Sequence, residues 1–406
     1  MLQKSRFRAG LAAIICLGVV MLLAACGSSS SSSSSSGSGS SGGSSSSSAS
    51  SDGVAYAKKQ IAAASAIPTF KLKAPSFDMS KIKGKVIFNI PVTSAVPYVV
   101  SVDQAAAQVA KKYGAKWVEY TNQGTPTQWT AGINQAIAQH ADVIILAQGI
   151  AVNLIVPAMQ KAKAAGIPVV ITHDFQNDQQ NTPPPTGPGA AVNKLTKAFV
   201  NVPFWEAARL EADYVIAQTN GKADDVIFTS PDVPPSNGIT AAMTKEFKDH
   251  CSDCKVKVIT VPLADWATKI APQTQSSLTS DPGINWVTPI YDSMSLYAQQ
   301  GVTAAGKTGS VHIASYNGTP AVMKLIQDGN IMSMDVGENI TWLAYATMDQ
   351  VGRVITGSPI VASGNEQTPL RVFTKDNIDQ AGKPPQPNLG YGNAYVTGYG
   401  ALWKGQ

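Results

Sequence analysis

From residue 85 onward two hydrophobic periods alternate along the chain. Short β-rich runs, "KVIFNI" at 85–90, "KWVEY" at 116–120, "DVIIL" at 142–146 and "IPVVIT" at 167–172, are apolar almost without interruption. That pattern predicts parallel strands covered on both faces. Between them, stretches 98–113, 128–139 and 153–165 carry apolar residues three or four apart, and Gly114 and Gly166 follow the first and third as helix stops. Strand, helix, strand, helix predicts a right-handed parallel α/β layer.

The Pro- and Gly-rich "NDQQNTPPPTGPGA" at 177–190 breaks the alternation. It then resumes with helices expected at 205–218, 239–249, 270–279, 292–301 and 320–328 and strands at 225–229, 255–261, 285–288, 311–316 and 331–335. Two runs of similar size predict two α/β lobes. A further helix is expected at 341–356, whereas "PLRVFTKDNID" (369–379) and the Gly- and Tyr-rich last 30 or so residues give no clear pattern.

The first 53 residues differ in kind. Lys4, Arg6 and Arg8 precede an apolar run at 11–23, shorter than the roughly 20 residues a membrane-spanning helix needs. It reads as an export signal over 1–25. Its end, Leu23-Ala24-Ala25-Cys26, resembles the bacterial lipobox, which implies acylation of Cys26. Residues 27–51 are almost entirely serine and glycine, which cannot bury enough apolar area to offset ordering. A tether over 26–53 is expected, reaching about 25–30 Å as a flexible coil, and then a linker over 54–83. The chain is therefore expected outside the cytoplasm, lipid-anchored to the cell membrane.

Composition narrows the function classes. Of 406 residues 14% are charged, and the net charge of +5 falls near +2 once the leader cations are removed. No basic face for nucleic acid is expected. Cys251 and Cys254, in "HCSDCKVKV", are close enough for a small disulfide loop outside the cell. They follow a helix rather than open one, unlike a redox centre, and lack a second ligand pair for zinc. "GVTAAGKT" at 301–308 matches a phosphate-binding loop letter for letter, but the helix precedes it and the strand follows, so a helix exit is expected. None of His140, His173, His250 and His312 stands in an H-E-x-x-H, and there is no G-x-S-x-G. No catalysis, cofactor or metal is expected. His173 and Asp174 end a strand, where open α/β sheets place their ligands, and His173 reads as structural with Asp174 as the functional residue.

"NIPVTSAVPYVVSVDQAAAQVAKKYGAKWVEYTNQGTPTQWTAGINQAIAQHADVIILAQ", with "VPAMQKAKAAGIPVVITHD" after it, resembles the first lobe of type I periplasmic sugar-binding proteins, the ribose-binding-like receptors of ABC importers. "INWVTPIYDSMSLYAQQGVTAAGKTGSVHIASYNGTPAVMKLIQDGNI" resembles the second lobe, in the same order. The resemblance implies two parallel-sheet lobes joined by a three-crossover hinge, assigned here as 84–198 with 338–365, then 199–337, with 366–406 as final crossover and tail. It implies ligand contacts at Tyr98, Gln148, Asp174, Trp266, Tyr291, Asn317 and near Glu338. Aromatic faces would sandwich the sugar ring while carboxylates and amides take its hydroxyls.

Three positions depart from the family. Phe175 stands where arginine is usual, a second usual arginine falls near Met243, and a usual asparagine falls on Val96. Loss of the forked cations disfavours an ordinary pentose or hexose. A neutral or cationic ligand with an apolar face is expected, with Phe175 lining the site beside Asp174. The expected partners are this sugar-like small molecule, an ABC permease and, through the lipid, the membrane; the chain itself is expected as a monomer. The alternatives are a receptor of the same fold feeding a sensor, and an exported enzyme.

Overall fold

The computed structural model describes residues 45–175, 188–329, 331–362, 366 and 368–404, and their side chains except at 45–50, 174–175 and 188–190. The first lobe is built on five parallel strands: β2 (Val86–Pro91), β3 (Lys116–Glu119), β4 (Val143–Ala147), β5 (Val169–Phe175) and β6 (Thr196–Val202), in the order β3-β2-β4-β5-β6. Every residue of β4 is buried, as expected for a central strand with helices on both faces. Helices α3 (Pro126–Ala138) and α4 (Val156–Ala164) cover one face through Trp129, Ile133 and Met159. Helix α2 (Pro97–Lys112) and the later α11 (Ile340–Thr356) cover the other. Thr125 caps α3, its side chain accepting from the Gln128 N–H at 3.3 Å, and Pro126 occupies the first turn.

The second lobe carries a six-stranded sheet, β12-β11-β10-β9-β7-β8, from β7 (Asp224–Thr229), β8 (Lys255–Thr260), β9 (Trp286–Pro289), β10 (His312–Asn317), β11 (Met332–Glu338) and β12 (Leu370–Thr374). All pairs are parallel except β11 with β12. Its helices are α6 (Phe204–Gln218), α7 (Ser236–His250), α8 (Trp266–Ser280), α9 (Asp292–Ala304) and α10 (Pro320–Gln327). Cys251 and Cys254 form a disulfide just after α7, with Cα atoms 5.4 Å apart. The "GVTAAGKT" stretch begins in the last turn of α9 and exits it, with β10 following.

The chain crosses between the lobes at Pro203, at Asn339 and again between α11 and β12. Three boundaries differ from the sequence reading, the first being that Glu338, expected to open the first lobe's return, ends β11 of the second sheet. Strand β6, unrecognised from the sequence and preceded by the short α5 (Pro188–Leu195), belongs to the first sheet, so that lobe runs to residue 202 rather than 198. Strand β12 completes the second sheet, so 366–406 is not merely crossover and tail.

Neither the tether nor the linker ends where the sequence suggested. Helix α1 (Ser45–Ala64) starts inside the serine-rich stretch and packs along α6 and α7 of the second lobe. Gly53 permits this approach, since a Cβ there would stand 1.9 Å from the His250 carbonyl oxygen. Three residues on, Tyr56 stacks on the His250 ring with centroids 3.8 Å apart. Residues 65–76 then run to the first lobe, where β1 (Phe77–Asp78) pairs in parallel with β13 (Trp403–Lys404).

Buried Arg353 fastens this strap. It donates to the carbonyls of Pro75 (2.8 Å) and Pro359 (3.0 Å), pairs with Asp349 (2.6 Å) and lies 4.8 Å over the Phe77 ring. On the other lobe Arg371 Nε donates to the Ser65 carbonyl at 3.0 Å. The tail adds α12 (Ala394–Leu402), whose Tyr395 and Tyr399 pack against Trp342 and Tyr345 of α11. Among the described residues no helix is long and apolar enough to cross a membrane.

Candidate functional site

The carboxyl ends of both sheets face a cavity of about 110 Å³ between the lobes. The first lobe contributes Val96, Tyr98, Trp129, Gln148 and His173, and the second Trp266, Tyr291 and Asn317, with Phe204 at the crossover. The rings are fixed by their polar ends, as buried Trp and Tyr require. Trp129 Nε1 donates to the Val92 carbonyl at 2.9 Å, and Trp266 Nε1 to Ser230 Oγ at 3.0 Å and the Val261 carbonyl at 3.2 Å. Tyr291 meets Ser236 Oγ at 3.2 Å and lies beside Trp266, centroids 6.1 Å apart. Burial holds the Tyr98 and Tyr291 phenols above their usual range, so both stay protonated.

Backbone strain concentrates here. Five described residues other than glycine have positive φ, and three of them line the cavity: Gln148 (57°), His173 (51°) and Asn317 (145°). The other two, His140 and Asn220, follow α3 and α6, where a left-handed residue ends a helix. Such conformations cost about 1–3 kcal/mol each and persist where surrounding contacts hold them. Behind the cavity, Gln148 Nε2 donates to Asp103 Oδ1 at 2.8 Å, which Asn89 Nδ2 also reaches at 2.8 Å. Burial, and then the charge of Glu119, push the Asp103 carboxyl well up.

Beneath the cavity one carboxylate gathers donors from both lobes. Glu338, fully buried at the end of β11, accepts at Oε2 from Tyr316 Oη (2.7 Å) and Tyr98 Oη (3.2 Å), with His173 Nε2 at 3.2 Å. Thr368 Oγ1, on the third crossover, donates to Oε1 at 3.3 Å. Tyr98 and His173 belong to the first lobe and Tyr316 to the second, so Glu338 ties the lobes at the hinge. On the second lobe, buried Asp292 orders the β10 end, accepting from Thr319 N–H (2.7 Å) and its hydroxyl (2.6 Å).

Of the residues expected from sequence, Tyr98, Gln148, Trp266, Tyr291 and Asn317 are brought together around the cavity. Glu338 does not line it and serves the hinge network instead. Val96 lines the cavity, but Met243 is buried in the core inside α7, so no cation is missing from the cleft at that position. The side chains of Asp174 and Phe175 lie outside those described, as does Cys26. Sequence reasoning missed Trp129, Phe204 and His173 as lining residues. A signal existed for His173, at the carboxyl end of a core strand, whereas Trp129 falls on a helix whose apolar stripe reads as packing. No lysine or arginine lines the cavity among the described residues, and no group of three or more His, Cys, Asp or Glu there is arranged to hold a metal. A larger cavity, about 780 Å³, lies behind the hinge between residues 60–73, the crossover residues Pro203 and Thr368, Trp342 and Tyr399.

The sequence profile of the periplasmic binding protein domain matches residues 87–359. The chain belongs to this family. A D-ribose/D-allose-binding protein of Pseudomonas aeruginosa is 24% identical over 202 residues, a match spanning 50% of this chain and 59% of that relative. Solved structures share the fold. A solute-binding protein of an ABC transporter from Actinobacillus succinogenes, with bound D-allose, superposes with a TM-score of 0.62 at 22% identity, covering 73% of this chain and 99% of its own. Another from Agrobacterium vitis, with bound allitol, gives 0.61 at 18% identity over 74% and 99%. The family member described here thus has the two-lobe fold that its strand alternation implied.

Proposed function

We propose that this periplasmic binding protein is the extracytoplasmic receptor of an ABC importer, held to the membrane by lipid on Cys26, and that it captures a small neutral or cationic sugar-like molecule between closing lobes. The cleft's lining carries this reading: both lobes supply aromatic faces and amide, hydroxyl and imidazole groups, Asp232 adds a carboxyl group, and there is no lysine or arginine among the described lining residues. Aromatic faces suit the C–H face of a sugar or polyol, and the polar groups its hydroxyls. Among those residues an anion finds no fixed positive partner. The relatives that bind D-ribose, D-allose and allitol support the same ligand class.

Binding to the folded state alone raises stability, by about 2.7 kcal/mol at a hundredfold excess over Kd. A thermal-shift screen over neutral sugars and polyols, sugar phosphates and sugar acids is the test. Stabilisation by neutral compounds and none by the anions is expected; a sugar phosphate or acid as the tightest ligand would overturn the proposal.

A further inference from the structure

Besides its three crossovers, the chain links the lobes a fourth time, through the strap behind the hinge. The second-lobe end of the strap is α1, seated on α7 by Gly53 and Tyr56, and it finishes at Ser65, whose carbonyl accepts from Arg371 Nε at 3.0 Å. The first-lobe end begins at Phe70. Its ring meets Tyr399 edge-on, centroids 4.9 Å apart, and lies 6.1 Å from Trp342. Gly398 makes room for it, since a Cβ there would stand 2.2 Å from Phe70 Cδ1. Only residues 66–69 separate the two anchors, and 67–76 form neither helix nor strand. The five steps from Ser65 to Phe70 reach at most roughly 18 Å when fully extended. Pro68 fixes its own φ and holds Ile67 extended, so the span is stiff as well as short.

The hinge stands between two spaces. Phe204 lines the cleft, whereas its neighbours Pro203 and Glu206 line the cavity behind the hinge. Thr368 also lines that rear cavity and donates to Glu338, whose other oxygen takes the hydroxyl of Tyr98 on the cleft side. Rotation about the crossovers that narrows the cleft therefore widens the rear. In this structure the cleft holds about 110 Å³ and the rear about 780 Å³, with Glu206 and Leu210 of α6 and Leu370 of β12 on one side and Trp342 and Tyr399 on the other. Strap residues 66–73 cross that wide side. A chain segment held at both ends resists extension far more than compression. It limits widening at the rear, and through the hinge it limits narrowing at the front.

We propose that residues 65–70 are a check strap that bounds closure of the cleft. The length of the span, fixed by the Ser65 and Phe70 anchors, then sets how much of the protein is closed before ligand arrives. A ligand that binds the closed form gains apparent affinity in proportion to that fraction, so the strap tunes affinity without touching the ligand. This concerns the hinge alone and holds for any ligand class.

The test is pulsed EPR on the unliganded full chain, with spin labels at Thr127→Cys and Ala267→Cys. Both residues are exposed, in the first turns of α3 and α8, close to the lining residues Trp129 and Trp266, so their separation reports the cleft mouth. A Gly-Ser-Gly-Ser insertion between Pro68 and Thr69 lengthens the span and leaves both anchors in place. It should shorten the label distance by more than about 2 Å, the scale of a domain rearrangement rather than of side-chain adjustment. Phe70→Ala releases the first-lobe anchor and should shorten it to the same extent, and insertion and substitution together should do no more than either alone. Melting curves verify that each variant is folded; a strap with only a structural role would lower the melting temperature and leave the distance unchanged. An inserted chain whose label distance equals or exceeds that of wild type overturns the proposal, as does a combined variant that closes further than both single ones. Since no ligand enters the measurement, either result leaves the receptor reading standing.

Discussion

Tyr98→Phe separates the hinge network from ordinary packing. The substitution keeps the ring and removes one hydroxyl, which donates to Glu338 at 3.2 Å and meets His173 Nε2 at 2.9 Å. Tyr98 is on α2 of the first lobe, while Glu338 ends β11 of the second, in register with Leu370. The bond therefore spans the two lobes. A hydrogen bond to a charged group contributes about 1.5–3 kcal/mol, and its length places this one at the lower end, about 1.5 kcal/mol or roughly tenfold. Closed protein, and with it ligand affinity, should fall by about that factor. Tyr316→Phe removes a shorter bond to the same oxygen, 2.7 Å, but β10 and β11 are neighbours in one sheet, so that bond survives opening. It should lower the melting temperature and leave the open–closed balance alone. Spin labels at Lys161→Cys on α4 and Lys257→Cys on β8, both exposed, report the lobe separation by pulsed EPR. Equal effects of the two substitutions on that distance, or none from Tyr98→Phe, would refute the assignment of Glu338 as an inter-lobe tie.

Three further outcomes follow from particular groups. Trp266→Ala removes a 7% exposed ring from the cleft and should weaken ligand binding by more than about 1.5 kcal/mol, roughly tenfold, measured by calorimetry; wild-type affinity would place the ligand elsewhere. Burial pushes Asp213 on α6 up to about 8 and Asp225 on β7 to about 7, so the folded chain holds protons there that the unfolded chain releases near pH 4. The stability they support is present at low pH and declines as pH rises toward 8, and Asp213→Asn should flatten that decline in melting temperature; an unchanged slope would show that Asp213 is ionised in the fold. Cys26→Ala should release the protein from washed membranes, and retention would refute lipid anchoring at that residue.

The strand–helix alternation made both lobes legible because parallel strands buried on both faces are almost continuously apolar, as β4 shows. Strand β6 was not, since its seven residues are flanked by α5 and by Pro203, and so lack the spacing that marked the others. Helix α1 was hidden for a different reason. Serine and glycine have no core to offer, yet Gly53 lets α1 approach α7 and Tyr56 finds His250, a tertiary pairing that no local pattern encodes. In the cleft, Tyr98, Gln148, Trp266, Tyr291 and Asn317 were placed by the family resemblance, and the structure sets Gln148 and Asn317 at strand ends and the three rings at helix starts. Met243 could not be placed, as a helix position gives no sign of which way it faces until the helix is packed. Glu338 was named from the same resemblance as a ligand contact, but its role depends on donors from residues 98, 173, 316 and 368, far apart in sequence.

The most direct measurement is a crystal structure grown with the tightest-binding neutral sugar or polyol. Density between Trp266 and Tyr98 in the cleft is the predicted result. Density in the larger cavity behind the hinge, beside Trp342 and Tyr399, with the cleft left empty, would contradict the account.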